Sequence, residues 1–200
     1  MSDKNNVNKV KGFTLIEVLI TLSILGIVTA IAMPNISDFI IKTRVDNEIS
    51  SLHRLILNAR NAAVNTGKNV TVCPLSNNTC AADWTAELTV FTNDTNTLAD
   101  NSVYNNDGNE NNQSADEKTI KVRPAIMDSD TLSYDATLII FSPTGRAVSG
   151  GNSTFTYCPS SNQLHARSLY ISLSGRVYAS EDSDNNGIDE DRNDVEVSCD

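Results

Sequence analysis

At 200 residues, 40% hydrophobic and 20% charged, the chain has room for one ordinary domain and an appendage, and is neither wholly disordered nor a polytopic membrane protein. Fifteen Lys and Arg against 25 Asp and Glu leave a net charge of -10, which excludes nucleic-acid binding through bulk charge.

Residues 1–12, MSDKNNVNKVKG, form a polar leader with Lys4, Lys9 and Lys11 against Asp3, ending in Gly12. Phe13 to Met33 then runs 21 residues with one charge, Glu17. At about 1.5 Å per residue this crosses the roughly 30 Å of a bilayer's hydrocarbon, so 13–33 reads as a transmembrane helix. The rival is a cleaved secretory signal, whose apolar core is shorter and followed by a small-residue cleavage site; here the run continues into Pro34 and an amphipathic segment. Lysines before the span and cysteines after it put the N-terminus in the cytoplasm and the bulk of the chain across the membrane.

Glu17 needs a partner, because a charge inside a spanning helix costs about 2.5–3.5 kcal/mol on insertion scales. A cut after Gly12 supplies one: the new α-amino group of Phe13 lies near one helical turn from Glu17, in its own chain or a packed neighbour. The alternative is a carboxylate that snorkels to the headgroups. Lys11-Gly12-Phe13-Thr14-Leu15-Ile16-Glu17, with the apolar run and Pro34 behind it, resembles the class III signal of type IV pilins and type II secretion pseudopilins. That resemblance implies cleavage between Gly12 and Phe13 by a prepilin peptidase of the inner membrane, N-methylation of Phe13, and a Glu17 that meets the N-terminus of an adjacent subunit during filament assembly.

Segment 34–66 continues the helix with one apolar face, Ile36, Phe39, Ile40, Val45, Ile49, Leu52, Ile56, Ala59 and Ala63. The helix is predicted to reach about Asn65, with Gly67 as its stop and His53 at its surface or boundary rather than a ligand. From 67 to 200 short β-type runs predict a sheet domain covering that face. Strands are expected near 69–74, 84–92, 118–124, 137–141, 153–158, 168–173 and 176–180, with a terminal run at 195–199 and a tight hairpin around Ser174-Gly175. Loop 93–117 is dense in Asn, Asp, Thr, Ser and Gly, and 181–200 is an acidic tail.

Val72-Cys73-Pro74, Cys80, Trp84, Val90-Phe91, the run from Ile140 to Gly145, Phe155, Cys158 and the run from Ile171 to Val177 together are similar to the FimT/GspH family of minor pilins and pseudopilins. The family's usual Gly-Trp before the buried strand is here Glu87-Leu88. The resemblance implies an α+β, type IV pilin-like fold, a long N-terminal helix against an antiparallel β domain in the periplasm. It implies a non-enzymatic subunit that initiates or caps a type IV pilus or a type II secretion pseudopilus. Its partners are then other pilins or pseudopilins, the prepilin peptidase/N-methyltransferase and the inner membrane.

Four cysteines allow three connectivities; Cys73–Cys80 with Cys158–Cys199 is favoured, closing a short loop ahead of Trp84 and fastening the C-terminus to the sheet. No CxxC or Cys/His arrangement lowers a thiol pKa. Relatives in naturally competent bacteria are implied to bind DNA through Gly-Arg-x-Arg, an alternative role in DNA uptake. The aligned residues are Gly175, Arg176, Val177 and Tyr178, and Arg167 and Arg176 on phosphates with Tyr178 on a base is the corresponding arrangement. Against it, nine acids and one arginine in 181–200 repel a nucleic-acid backbone, and the plain alternative is an arginine that solvates a hairpin.

No cofactor is required, but Asp182-Ser183-Asp184-Asn185-Asn186-Gly187 follows the D-x-D-x-N-G opening of an oxygen-ligand Ca2+ loop. Asp182, Asp184, Asn186, the Ile188 carbonyl and Glu190 or Asp191 are its candidate ligands. The last EF-hand position falls on Asn193, so the expectation is a weak extracellular-type site or a solvated acidic tail. Two histidines, and no P-loop, HExxH or G-x-S-x-G, exclude the common catalytic constellations.

Overall fold

The computed structural model describes residues 12–93, 103–104, 117–161 and 163–199; the side chains of residues 31–35, 161 and 163 are not among them. The leader before Gly12 and most of loop 93–117 therefore lie outside the described residues.

One helix, α1, runs from Leu15 to Thr66. It stops where the sequence supplies a residue suited to the left-handed region: Gly67 takes φ 68° and its amide donates to Ala63 O at 3.1 Å. The chain divides within this helix into two compact units, Met1–Ile40 and Ile41–Asp200.

In the first unit the apolar side chains are exposed on every side, Leu15, Ile16, Leu19, Leu22, Leu25 and Val28 among them. Among the described residues no helix is long and apolar enough to cross a membrane. The side chains that complete the 13–33 run are among those outside the description. The apolar face expected from Ile36 onward is corrected here, since Ile36, Phe39 and Ile40 are exposed.

In the second unit the stripe is covered. Val45, Ile49, Leu52, Leu55, Ile56, Ala59 and Ala63 are buried, one or more per turn, and Leu55 joins the residues expected from periodicity. They pack with Val70, Val72, Leu88, Val90, Ile139, Phe141, Phe155, Leu169 and Ile171.

The strands are β1 (Asn69–Ser76), β2 (Thr79–Cys80), β3 (Leu88–Asn93), β4 (Thr119–Arg123), β5 (Thr131–Ser133), β6 (Ile139–Phe141), β7 (Ala147–Ser149), β8 (Ser153–Cys158), β9 (Arg167–Ile171) and β10 (Val177–Ala179). One antiparallel sheet has the order β4-β3-β1-β6-β7 with β2 on β1, and the other β10-β9-β8-β5. All of β3 and the five β1 residues from Val70 to Pro74 are buried, on both faces, as expected of central strands.

Two expected strands are corrected. Residues 84–87 form turns ahead of β3, because Trp84 turns inward: its Nε1 donates to Ala136 O at 2.8 Å and its ring meets Tyr134 and Phe155 edge-on. Residues 195–199 form no strand; Glu196 makes one isolated bridge to Glu190.

Helix charges add pairs at the rim of this core. Arg44 meets Asp130 at 3.1 Å, Glu48 pairs with Arg123, and Asp46 lies 3.4 Å from Arg167. Each fully buried large apolar side chain contributes roughly 1.5–3 kcal/mol and an exposed pair about 0–1, so burial holds the helix to the sheets and the pairs set its register. Asp130 and Arg123 are the buried members, and Asp130 also accepts from Tyr157 Oη and from Ser160 N at 3.1 Å. Burial, with the Asp130 carboxylate beside it, pushes the Tyr157 hydroxyl well above its ordinary pKa.

Candidate functional site

The N-terminal site begins one residue before the helix. Thr14 Oγ1 accepts from Glu17 N at 3.3 Å, while Glu17 Oε2 accepts from Thr14 N at 2.9 Å and Thr14 Oγ1 at 3.0 Å. This reciprocal pair is a capping box, satisfying amides that the first turn leaves without partners. Periodicity and charge single out Glu17 but not Thr14; the T-x-x-E spacing is the signal that identifies it.

Among the described residues the hydrogen bonds to this carboxylate fall on Oε2, which holds it beside the helix start. Phe13, 88% exposed, is the next residue back from Thr14. A Cβ added at Gly12 would meet nothing within 4 Å.

The C-terminal tail carries the second candidate. Glu181 and Glu190 exchange two backbone hydrogen bonds, 3.1 and 3.0 Å, closing the loop between them. Carboxylate oxygens of Asp182, Asp184 and Glu190 come within 4.8 Å of one another. The loop's own amides bond these groups: Asn186 N and Gly187 N donate to Asp182, both at 3.1 Å, Asn186 N to Asp184 at 2.9 Å, and Ile188 N to Asn186 Oδ1 at 2.8 Å, so of the five expected ligands three carboxylates stand together with Asn186 hydrogen-bonded among them. Asp191 turns away: its carboxylate accepts from Asn193 N at 2.7 Å and Val195 N at 3.1 Å. Burial raises its pKa, but those hydrogen bonds and the Arg192 charge outweigh burial and hold it below the usual value.

The third candidate is the β9–β10 hairpin. Gly175 takes φ 74° in a turn where Gly175 N donates to Ser172 O at 2.9 Å. A Cβ there would run into Gly145 O, the same carbonyl that accepts from Arg60 Nε of the helix at 2.9 Å. Gly145 sits in a matching Ser-x-x-Gly-Arg turn, so Gly175 serves the contact between the two turns. Arg167 is engaged by Asp46 and by an ion pair with Asp189, and the Arg192 guanidinium lies 4.8 Å from the Tyr178 ring centre. Arg176 is exposed.

Two disulfides join Cys73 to Cys80 and Cys158 to Cys199. The second packs against Val197 and Ala166 and ties the tail to β8.

Residues 48–175 match the family model described as Type II transport protein GspH, and residues 7–33 match the prokaryotic N-terminal methylation motif. A fimbrial protein of Pseudomonas aeruginosa is 40% identical over 60 residues, 30% of this chain and 38% of that protein. The type IV major alpha-pilin of Moraxella bovis is 49% identical over 47 residues, 22% of this chain and 30% of the pilin. The chain thus spans well under half the length of the curated relatives it matches. The Pseudomonas aeruginosa type IV minor pilin FimU superposes with a TM-score of 0.51 at 18% identity, covering 70% of this chain and 90% of FimU; the likeness shows a shared fold.

Proposed function

The chain belongs to the GspH family as a GspH/FimT-type minor pilin or pseudopilin, a structural subunit and not an enzyme, and from that premise we propose that it helps initiate or cap an inner-membrane-anchored type IV pilus. The same proposal has the leader removed between Gly12 and Phe13 and Phe13 methylated. Segment 13–33 then anchors a periplasmic β domain through a single pass of the inner membrane before incorporation.

The carrying observation is the contrast in burial along α1. Its apolar front is exposed all round, a surface that lipid or identical helices must cover. Its rear is sealed by this chain's own sheets. Glu17 heads the exposed part and is fixed by Thr14 one residue from the amine that cleavage creates. The amine, in cis or from the neighbouring subunit, neutralises the carboxylate and sets the axial register of packed helices. The fimbrial and alpha-pilin likenesses support the pilus over the secretion pseudopilus.

The test is incorporation of Gly12→Val and Glu17→Ala variants into sheared filaments of the native host. Both are expected to be lost from the filament fraction while remaining in the membrane; normal incorporation of both contradicts the reading.

A further inference from the structure

We propose that the tail loop 182–190 binds one Ca2+ ion through Asp182, Asp184 and Glu190.

The three carboxylates converge from two strands of a closed loop. Glu181 and Glu190 bridge at its base, Val197 N donates to Asp189 O at 2.8 Å, and Cys199 fixes the following segment to β8. Asp189, between the ligands in sequence, is bonded to Arg167 and to Ser180 Oγ at 2.8 Å. The nearby cation is therefore taken by Asp189, and among the described residues none of the three ligands is ion-paired. Three like charges this close repel one another, a cost that the amides of Asn186 and Gly187 on Asp182 and Asp184 offset in part and that a cation lifts further.

An independent sign comes from Glu190. Its side chain is 7% exposed, yet only Oε2 is satisfied, by Ser183 N at 2.7 Å and Ser183 Oγ at 2.9 Å. Oε1 is buried and has no hydrogen-bond partner. A buried carboxylate oxygen without a donor is costly, and a bound cation removes that cost.

The chemistry selects the ion. All donors are oxygens, which excludes the soft and borderline metals that favour thiolate or imidazole. Ca2+ binds oxygens at about 2.3–2.6 Å in flexible geometry, so carboxylate oxygens within 4.8 Å of one another fit around it. Mg2+, at about 2.0–2.1 Å, demands near-ideal octahedral geometry and gives up its waters reluctantly, so a loop of carboxylates and carbonyls favours Ca2+. The Ile188 carbonyl, water and Asn186 Oδ1, which keeps a second lone pair beside its bond from Ile188 N, complete the sphere.

Three carboxylates without a bidentate twelfth-position Glu place the affinity in the range of extracellular modules, a Kd of about 0.1–1 mM. The bound ion neutralises the tail beside the cleft of about 350 Å³ lined by Asp46, Arg167, Glu181 and Asp182.

Calorimetric titration of the purified full-length chain in detergent with CaCl2 tests this. One site in that range is expected, with MgCl2 at least about tenfold weaker. Asp184→Asn, at an exposed position, and Glu190→Gln, of unchanged shape, each weaken Ca2+ at least about tenfold. Asp191→Asn leaves the Kd within about twofold, because Asp191 is turned to Asn193 and Val195. Absence of Ca2+ heat up to about 10 mM overturns the proposal. So does an affinity unchanged in both Asp184→Asn and Glu190→Gln, or lowered as much by Asp191→Asn.

Discussion

The residues before Ile41 and those after it share one helix but obey opposite rules. Leu22 and Leu52 are both apolar helical residues; Leu22 is 58% exposed and Leu52 is 1% exposed. The rear unit closes its own core, whereas the described apolar side chains of the front unit are exposed. Secondary structure alone therefore does not distinguish a part that folds against itself from a part completed by its surroundings; burial does.

The largest expected effect sharpens that contrast. Trp84→Ala removes the centre of the Trp84, Tyr134 and Phe155 cluster and is expected to lower stability by about 3–5 kcal/mol in denaturant unfolding of the full chain in detergent. Leu22→Ala, under the same measurement, changes it by no more than about 0.5 kcal/mol while lowering filament incorporation. Equal losses from the two would erase the distinction.

Next comes the tail. Replacing Cys158 and Cys199 together by Ala is expected to cost about 2–4 kcal/mol in a thermal melt, with faster hydrogen exchange at Val197 than in β1. Smaller still, Thr14→Val breaks the capping box and weakens the helix start by about 0.5–2 kcal/mol, seen as faster exchange of the first-turn amides with the domain melt unmoved.

The smallest effect concerns pH. The Asp191 carboxyl sits below its unfolded value, so its contribution is complete above that value and is lost as pH falls through the folded one. Asp191→Asn is expected to remove this acid-side loss at the Asn193 and Val195 amides, which wild type shows and the variant does not.

Much of this was legible in the chain. Gly67 is a single residue whose chemistry admits few roles at a helix end, and NVTVCP and STFTYC carry β-type composition over enough residues to be recognised. The three-residue strands Thr131–Ser133 and Ala147–Ser149 are too short for periodicity to register, and they exist because neighbours pair with them. The alternation in VEVSC suggests a strand, but Val197 is held by a disulfide cluster instead. The stripe from Ile36 to Ile40 continues the helical period, so only tertiary contact marks where the cover begins. At the tail, the D-x-D-x-N-G spacing singles out Asp182 and Asp184 as candidates, while the grouping of Glu190 rather than Asp191 with them is visible only in the fold, where Glu181 and Glu190 bridge.

The central claim is that a carboxylate at the head of an uncovered apolar helix is matched to an amine made by proteolysis. Mass spectrometry of the protein isolated from its native host measures that amine directly. A chain beginning at N-methylated Phe13 is the predicted result; a chain still carrying residues 1–12 contradicts it.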